Sequence, residues 1–128
     1  MVCIDSDIII NFLRKEKNAV ELINQLKSRG ELITTTVINS FELWKGYYRF
    51  KNKTTFDTIE QFLSEIEILL LEPKSSKKAA EIFESLSSEG QTVDALDVMI
   101  ASIAMVNNEP ILTLNKNHFE RIPGVKLI

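Results

Sequence analysis

The chain has 128 residues, of which 45% are hydrophobic and 26% are charged, and it carries a net charge of −3. This composition is ordinary for a globular protein, and the length fits one domain, residues 1–128, that buries roughly two-thirds of the surface of the unfolded chain. No apolar run approaches the about 18 residues of a membrane span, no secretory signal is recognisable and the lone Cys3 excludes an internal disulfide, so we expect a cytoplasmic protein without a membrane partner.

Short apolar runs alternate with amphipathic helical patterns along the chain. In order, we predict a strand at 2–4, helices at 8–13 and 19–26, a strand at 32–34, helices at 37–48 and 56–66, a strand at 68–71, helices at 79–86 and 93–106, and strands at 111–114 and 125–128. The predicted helix caps are Thr35 or Thr36, Thr54 or Thr55, and Thr92. This alternation predicts an α/β fold, namely a three-layer α/β/α domain with a central, mainly parallel sheet of four or five strands.

Three acidic residues stand on surfaces that the pattern marks as buried. Asp5 ends the first strand, where ligands of open parallel sheets bind, although it would also serve as a helix N-cap. Glu42 lies on the helix at 37–48, where a surface pair with Lys45 is the simpler explanation. Carboxylates on buried surfaces are costly unless they are paired or bind a cation. Together they suggest a site for a divalent metal.

The third acid, Asp97, has a like-charged neighbour. Asp94 lies three residues earlier on the same helical face, in the first turn after Thr92, where the helix dipole alone explains it. Asp97 is expected near the middle of the most apolar helix. Two adjacent carboxylates raise each other's pKa unless a cation lies between them, so this pair also favours a metal site.

Four segments resemble the motifs of one known family, in the family's order and spacing. They are VCIDSD at 2–7, ELWKG at 42–46, DVMIASIA at 97–104 and TLNKNHFERIPG at 113–124. Through them the whole chain resembles the PIN domain family, and within that family it is most similar to the VapC-type toxins.

The resemblance implies a metal site and names its residues. Asp5, Glu42 and Asp97 would bind Mg²⁺, or Mn²⁺ as the alternative, directly or through water, and Asp94 would be a fourth catalytic acid. Ser6 and Thr113 would orient the ligands by hydrogen bonds. Asn115 stands where the family often has an acid, and a neutral amide there would weaken a second metal site, so one tightly held ion is expected rather than two. Asp7 replaces the commoner Asn and would restore some negative charge.

The same resemblance implies the activity and the partners. A chain of this family would cleave RNA phosphodiester bonds by metal-activated water, as the toxin of a toxin–antitoxin pair. A VapB-like antitoxin would fill the acidic groove with its C-terminal segment, and the toxin would form a homodimer.

Several further residues have both a functional and a structural interpretation. Basic residues that would line an RNA path, or simply form solvated helix faces, are Arg14, Lys15, Lys17, Lys45, Arg49, Lys51, Lys53, Lys116 and Arg121. The aromatic residues Trp44, Tyr47 and Tyr48 would stack on bases or, as we favour, form core and a subunit interface. His118 is interpreted as structural.

Other functions remain open at this point. The chain would also suit a PIN-domain nuclease of RNA processing outside a toxin–antitoxin pair, or a PIN domain that has lost activity and only binds. Asp5-Ser6-Asp7 imitates the motif of a HAD-like aspartyl phosphatase, but that function leaves Glu42 unexplained. A receiver-like switch domain would need an aspartate after the third strand, where this chain has Glu72-Pro73.

Overall fold

The computed structural model describes residues 1–51 and 53–128, except for the side chains of Lys53 and Thr54. The strands of this part are β1 (Val2–Ile4), β2 (Ile33–Thr36), β3 (Glu67–Leu69) and β4 (Ile111–Leu112). The helices are α1 (Ser6–Leu13), α2 (Lys17–Ser28), α3 (Val37–Phe50), α4 (Lys53–Ser64), α5 (Pro73–Ser88), α6 (Ala95–Val106) and α7 (Lys116–Glu120). The predicted cap at Thr54 and the predicted role of Lys53 lie outside the described side chains.

The strands form one parallel sheet in the order β3-β2-β1-β4, so β1 lies inside the sheet between β2 and β4. Cys3 pairs with Thr34 on one side and with Ile111 on the other. All four strands run in the same direction, and their carboxyl ends therefore share one edge. This edge receives Asp5, which directly follows β1, and Thr113, which directly follows β4.

Helices cover the two faces of the sheet and enclose two apolar cores. One core joins the sheet to α5, α6 and α7 through residues such as Ile82, Ile103 and Phe119. The other joins it to α1, α2, α3 and α4 through residues such as Ile9 and Ile23. The predicted three-layer α/β/α fold is confirmed. Within the described residues, no helix combines the length and the apolar character that crossing a membrane requires.

Two predicted element boundaries differ at the C-terminal end of the chain. The expected strand at 125–128 is only a single parallel bridge, from Ile111 to Leu127, and β4 ends at Leu112 rather than at residue 114. Pro123 has no backbone N–H to donate, and Gly124 has a φ of +85°, so the chain turns at these residues. The segment that follows therefore reaches β4 at only one bridge. Within the described residues the sheet therefore has four strands.

The caps decide where the functional helices begin. Thr36 caps α3 as predicted: its hydroxyl accepts from the backbone N–H of Asn39, three residues on. The prediction for α6 was wrong, because its cap is Asp94, whose Oδ1 accepts from the N–H of Leu96 at 2.7 Å, and not Thr92. Asp97 consequently lies in the first turn of α6 instead of near its middle.

Candidate active site

Asp5 is held by groups from three parts of the fold. It is the N-cap of α1 and only 6% exposed. Its Oδ1 accepts from the backbone N–H of Ser6 and from Nδ2 of Asn39 on α3, each at 2.8 Å. Its Oδ2 accepts from Oγ1 of Thr113, after β4, at 2.7 Å. Asp5 therefore caps a helix, as one interpretation of the sequence predicts, and it lies at the carboxyl edge of the sheet.

Glu42 faces Asp5 from α3 and is connected to it through Ser6. The Ser6 hydroxyl donates to Oε1 of Glu42 at 3.0 Å. Burial raises the pKa of Glu42, the Ser6 hydrogen bond opposes this, and the nearby charges of Asp5 and Asp97 raise it further while Lys45 lowers it. Glu42 is thus a half-buried carboxylate surrounded mainly by like charge.

Asp97 reaches the same region from the first turn of α6. Its side chain is 19% exposed, and Nδ1 of His118 lies 3.4 Å from its Oδ2. Burial is the main cause that raises the pKa of Asp97, followed by the charge of Asp94; His118 lowers it and Asp5 raises it. His118, interpreted from the sequence as structural, is 58% exposed and contacts a predicted catalytic acid.

Asp94 and Asp97 are placed differently although they are close in sequence. Asp94 is exposed, and one of its carboxylate oxygens caps α6. Its charge raises the pKa of Asp97, but it is not among the charges that act on Glu42. Asp5, Glu42 and Asp97 thus lie within range of one another's charges, and Asp94 lies at the rim.

Asp7 fastens the segment after β4 to the start of α1. Its Oδ2 accepts from the backbone N–H of Leu114 and from Nδ2 of Asn115, both at 3.0 Å. Asn115 also donates its backbone N–H to Oγ1 of Thr113, the residue that holds Asp5. Burial and then the charge of Asp5 raise the pKa of Asp7, while its hydrogen bonds with Leu114, Ile8 and Thr113 lower it. The amide of Asn115 therefore positions Asp7 and Thr113.

We call Asp5, Asp7, Glu42 and Asp97 the acid cluster. Among the described residues, no Lys or Arg forms an ion pair with any of its members. Carboxylate oxygens are the ligands that Mg²⁺ and Mn²⁺ prefer, so the chemistry of the donors fits a divalent ion. As placed, however, no three His, Cys, Asp or Glu side chains of residues 1–51 and 53–128 form a group close enough to hold a metal.

Sequence reasoning missed the importance of Asn39. This side chain is completely buried; its Oδ1 accepts from the N–H and the hydroxyl of Thr36, and its Nδ2 donates to Asp5. Asn39 therefore takes part in the cap of α3 and also orients the carboxylate of Asp5. The spacing Thr-x-x-Asn at 36–39 was the available signal, because it is that of a reciprocal cap.

Glu109 is a second residue that was missed, and it lies outside the acid cluster. It precedes β4 and so belongs to the opposite edge of the sheet. It is 3% exposed, the Thr34 hydroxyl donates to its Oε2, and its Oε1 has no partner in the described part of the protein. Burial raises the pKa of Glu109; the Thr34 hydrogen bond and the N-terminal ammonium lower it, and Glu67 raises it.

The aromatic side chains of α3 divide into a packed and an exposed set. Trp44 and Tyr47 pack on Phe56 of α4, with ring centroids 5.0 and 5.2 Å apart, in agreement with the expected core role. Phe41, Tyr48 and Phe50 are exposed. The charged groups of Lys45 and Arg49 lie 5.7 Å from the ring centroids of Phe41 and Phe50, respectively.

Comparison with known proteins identifies the family. The PIN domain model matches residues 2–125. Ribonuclease VapC19 of Mycobacterium tuberculosis is 27% identical over 126 residues, 98% of each chain, and Ribonuclease VapC1 of Methanocaldococcus jannaschii is 25% identical over 128 residues, 98% of this chain and 85% of the relative. Two solved structures have the same fold: DNA-bound VapBC from Salmonella typhimurium (TM-score 0.85, 26% identity, 100% of this chain and 98% of that one) and VapBC2 from Rickettsia felis bound to a promoter DNA fragment (TM-score 0.87, 24% identity, 100% and 98%). The chain therefore belongs to the PIN domain family.

Proposed function

We propose that this protein is a metal-dependent endoribonuclease and the toxin of a VapBC-type toxin–antitoxin pair. The observation that supports the proposal is that Asp5 after β1, Glu42 on α3 and Asp97 on α6 lie within range of one another's charges near the carboxyl edge of the sheet. The family membership and the relatives named as VapC ribonucleases support the same activity.

Asp5, Glu42 and Asp97 would hold the ion, Mg²⁺ or alternatively Mn²⁺, and Asp94 would add negative charge from the rim. When bound, the ion supplies a polarised water as nucleophile and neutralises charge on the phosphate. Cleavage would leave a 5′-phosphate and a 3′-hydroxyl.

The remaining residues of the site would keep these three carboxylates in position. Asn39 and Thr113 fix both oxygens of Asp5, and Ser6 fixes one oxygen of Glu42. Partners of this kind commonly change metal affinity or activity by about 10- to 100-fold when they are removed. Asp7 and Asn115 act one step further out, because they hold the segment that carries Thr113.

The proposed partners follow from the same reasoning. The similar structures from Salmonella typhimurium and Rickettsia felis are VapBC complexes, so a VapB-like antitoxin is the proposed partner of this chain. A cationic side chain from that partner would find an acid cluster without a Lys or Arg pair in the described part of the chain. We also propose that the protein forms a homodimer and is located in the cytoplasm. Size-exclusion chromatography with light scattering tests the homodimer.

Asp97→Asn is the variant that tests the proposed activity. It keeps the size of the side chain and removes one charge from the set that would hold the ion. We expect RNA cleavage in Mg²⁺ to fall about 100-fold or more, while circular dichroism and the melting temperature stay near those of the wild type. Asp57→Asn on α4 removes the same charge at an exposed position and serves as the matched control.

Two results would contradict the proposal. One is full cleavage by Asp97→Asn, which would remove Asp97 from the site. The other is cleavage by the wild type that EDTA leaves unchanged, which would exclude a metal-dependent reaction.

A further inference from the structure

A second cleft, which we call the rear cleft, lies between α5, the end of α6 and the segment that precedes β4. Two adjoining cavities of about 340 and 250 Å³ form it, and they share Lys78, Met105 and Asn108. Together they reach the size of clefts that hold small ligands. Helix α6 separates the rear cleft from the acid cluster, because it carries Asp97 in its first turn and ends at Val106 in the cleft.

Positive charge is concentrated in the rear cleft. The lysines that line it are Lys74, Lys77, Lys78 and Lys126. The first three are three and four residues apart on α5, so their Cβ atoms lie about 5–6 Å apart on one helix face. All four are exposed, and none forms an ion pair with a described residue, Glu81 in the same cleft included. The chain as a whole has a net charge of −3, so this charge is a local feature.

The arrangement is unfavourable for α5 in the free protein. Like charges at this spacing on a helix repel each other. The helix dipole favours acids in the first turn, but the first turn of α5 has none and carries Lys74. An anion held between the lysines would replace this repulsion by attraction.

The other end of the rear cleft carries a buried carboxylate. Glu109 lines the smaller cavity and is 3% exposed; the Thr34 hydroxyl donates to its Oε2, and its Oε1 has no partner among the described residues. Its backbone N–H donates to the carbonyl of Ala104 at 2.9 Å, which fixes its position at the end of α6. Met105 and Pro123 add apolar surface beside it. An N–H group of a ligand in this cavity would supply the missing partner.

These walls suit a small phosphorylated ligand better than a nucleic-acid strand. Lysine is a common partner of phosphate, and the three lysines on α5 lie together rather than along a track. A strand carries a phosphate at every nucleotide and would meet the carboxylates of Glu81 and Glu109 in the same cleft. A nucleobase, in contrast, can donate from its amino group to a carboxylate.

We propose that the rear cleft binds a nucleoside triphosphate. Its phosphates lie on Lys74, Lys77 and Lys78. Its base enters the cavity beside Glu109 and donates an amino hydrogen to the free carboxylate oxygen, and Lys126 lies beside that cavity. The site is separate from the acid cluster and goes beyond the proposed ribonuclease function.

Isothermal titration calorimetry of the full chain in EDTA provides the test. EDTA removes divalent ions, so a nucleotide cannot bind through a metal at the acid cluster. The probes are ATP, inorganic triphosphate and adenosine. We expect ATP to bind about tenfold more tightly than either of the other two, because only ATP contacts both the lysines and Glu109.

The lysines are tested by the double variant Lys77→Gln/Lys78→Gln. We expect its affinity for ATP and for inorganic triphosphate to fall about tenfold or more, because hydrogen bonds from charged donors to phosphate are lost. The matched control is Lys17→Gln/Lys27→Gln, which removes two exposed charges from α2 on the other face of the sheet. The control should bind both probes like the wild type.

The place of the base is tested by Glu109→Leu. This variant removes the acceptor, so we expect its affinity for ATP to fall about tenfold, while its affinity for inorganic triphosphate does not fall. Circular dichroism checks its fold. The double lysine variant changes only exposed side chains and tests the site independently of this buried position.

Several results would overturn the inference. They are no binding of ATP by the wild type, unchanged ATP affinity of the double lysine variant, and unchanged ATP affinity of a folded Glu109→Leu. Equal affinity for ATP and inorganic triphosphate would reduce the site to one for a phosphate chain alone. Binding of a single-stranded oligonucleotide that ATP does not displace would assign the lysines to a nucleic-acid strand instead. Because binding is measured in EDTA and cleavage in Mg²⁺, failure of this inference leaves the proposed nuclease function untouched, and the reverse also holds.

Discussion

Replacement of Glu109 by Gln should remove a pH-dependent loss of stability. Glu109 is 3% exposed, and one of its carboxylate oxygens has no partner among the described residues. Gln keeps the shape and an acceptor for the Thr34 hydroxyl but cannot ionise. The substitution therefore isolates the cost of burying the charge.

The sign of the effect follows from the raised pKa of Glu109. Below the pKa of an unfolded Glu, about 4.3, both states are protonated and ionisation contributes nothing. Between this value and the higher pKa of the folded state, the unfolded chain releases the proton and the native chain keeps it, so stability falls as pH rises. Above the folded pKa the loss is complete.

The magnitude can be estimated from burial and chain length. A buried polar group without its partner costs about 1–3 kcal/mol, and more when it is charged. The Gln variant leaves the same position unpaired, so only the additional cost of the charge separates the two proteins, and we take it to be of the same order. An unfolding entropy of about 2.1 cal/mol/K per residue over 128 residues amounts to about 0.27 kcal/mol/K. A penalty of about 1–3 kcal/mol thus corresponds to about 4–11 °C in melting temperature.

Thermal melts at pH 4 and pH 8 provide the assay. The difference in melting temperature between Glu109→Gln and the wild type should be small at pH 4 and about 4–11 °C at pH 8, in favour of the variant. Asp7, Glu42 and Asp97 also have raised pKa values, but they titrate in both proteins and cancel in the difference. Exposed Glu60→Gln is the control. A difference that is the same at both pH values would refute the reasoning.

Three further predictions concern the acid cluster. Asn39→Leu should lower the free energy of unfolding in urea by about 1–3 kcal/mol and also reduce cleavage, because Asp5 and Thr36 lose their buried partner; unchanged stability would contradict this. Mn²⁺ at 100 times its dissociation constant should stabilise the wild type by about 2.7 kcal/mol in calorimetry but not Asp97→Asn, and an equal shift in both would place the ion elsewhere. Asp94→Ala should lower the free energy of unfolding by about 1 kcal/mol, because it removes the cap of α6. Asp94→Asn keeps the cap and should reduce RNA cleavage less than Asp97→Asn does; an equal reduction would make Asp94 a direct ligand of the ion.

The sequence pattern was sufficient for the layers of the fold and for the position of Asp5 at the edge of the sheet. The alternation of apolar runs with amphipathic helices depends on local periodicity, and Thr36 was recognisable as a cap from its neighbours. The placement of Asp5 at the edge of the sheet follows from its position after an apolar strand. These features depend on residues that are close together along the chain.

The features that were missed depend on distant partners or on a choice between neighbouring caps. Asn39 reaches Asp5 across 34 positions and Glu109 reaches Thr34 across 75, and no local pattern reports either contact. Asp94 and Thr92 are both acceptable caps, and only the path of the loop decides between them. Membership in the PIN domain family also removes the HAD-like phosphatase and the receiver domain from consideration.

The inner position of β1 determines when its sheet and the acid cluster can form during synthesis. Asp5 leaves the ribosome 108 residues ahead of Thr113, the residue that fixes its Oδ2, and β1 has no neighbour on its β4 side until residues 111–112 have emerged. The loop that closes the site is therefore nearly as long as the whole chain, which favours slow, late assembly over early folding of an N-terminal half. A truncated translation product that stops before residue 113 would contain Asp5, Glu42 and Asp97 but lack the hydroxyl that orients the first of them.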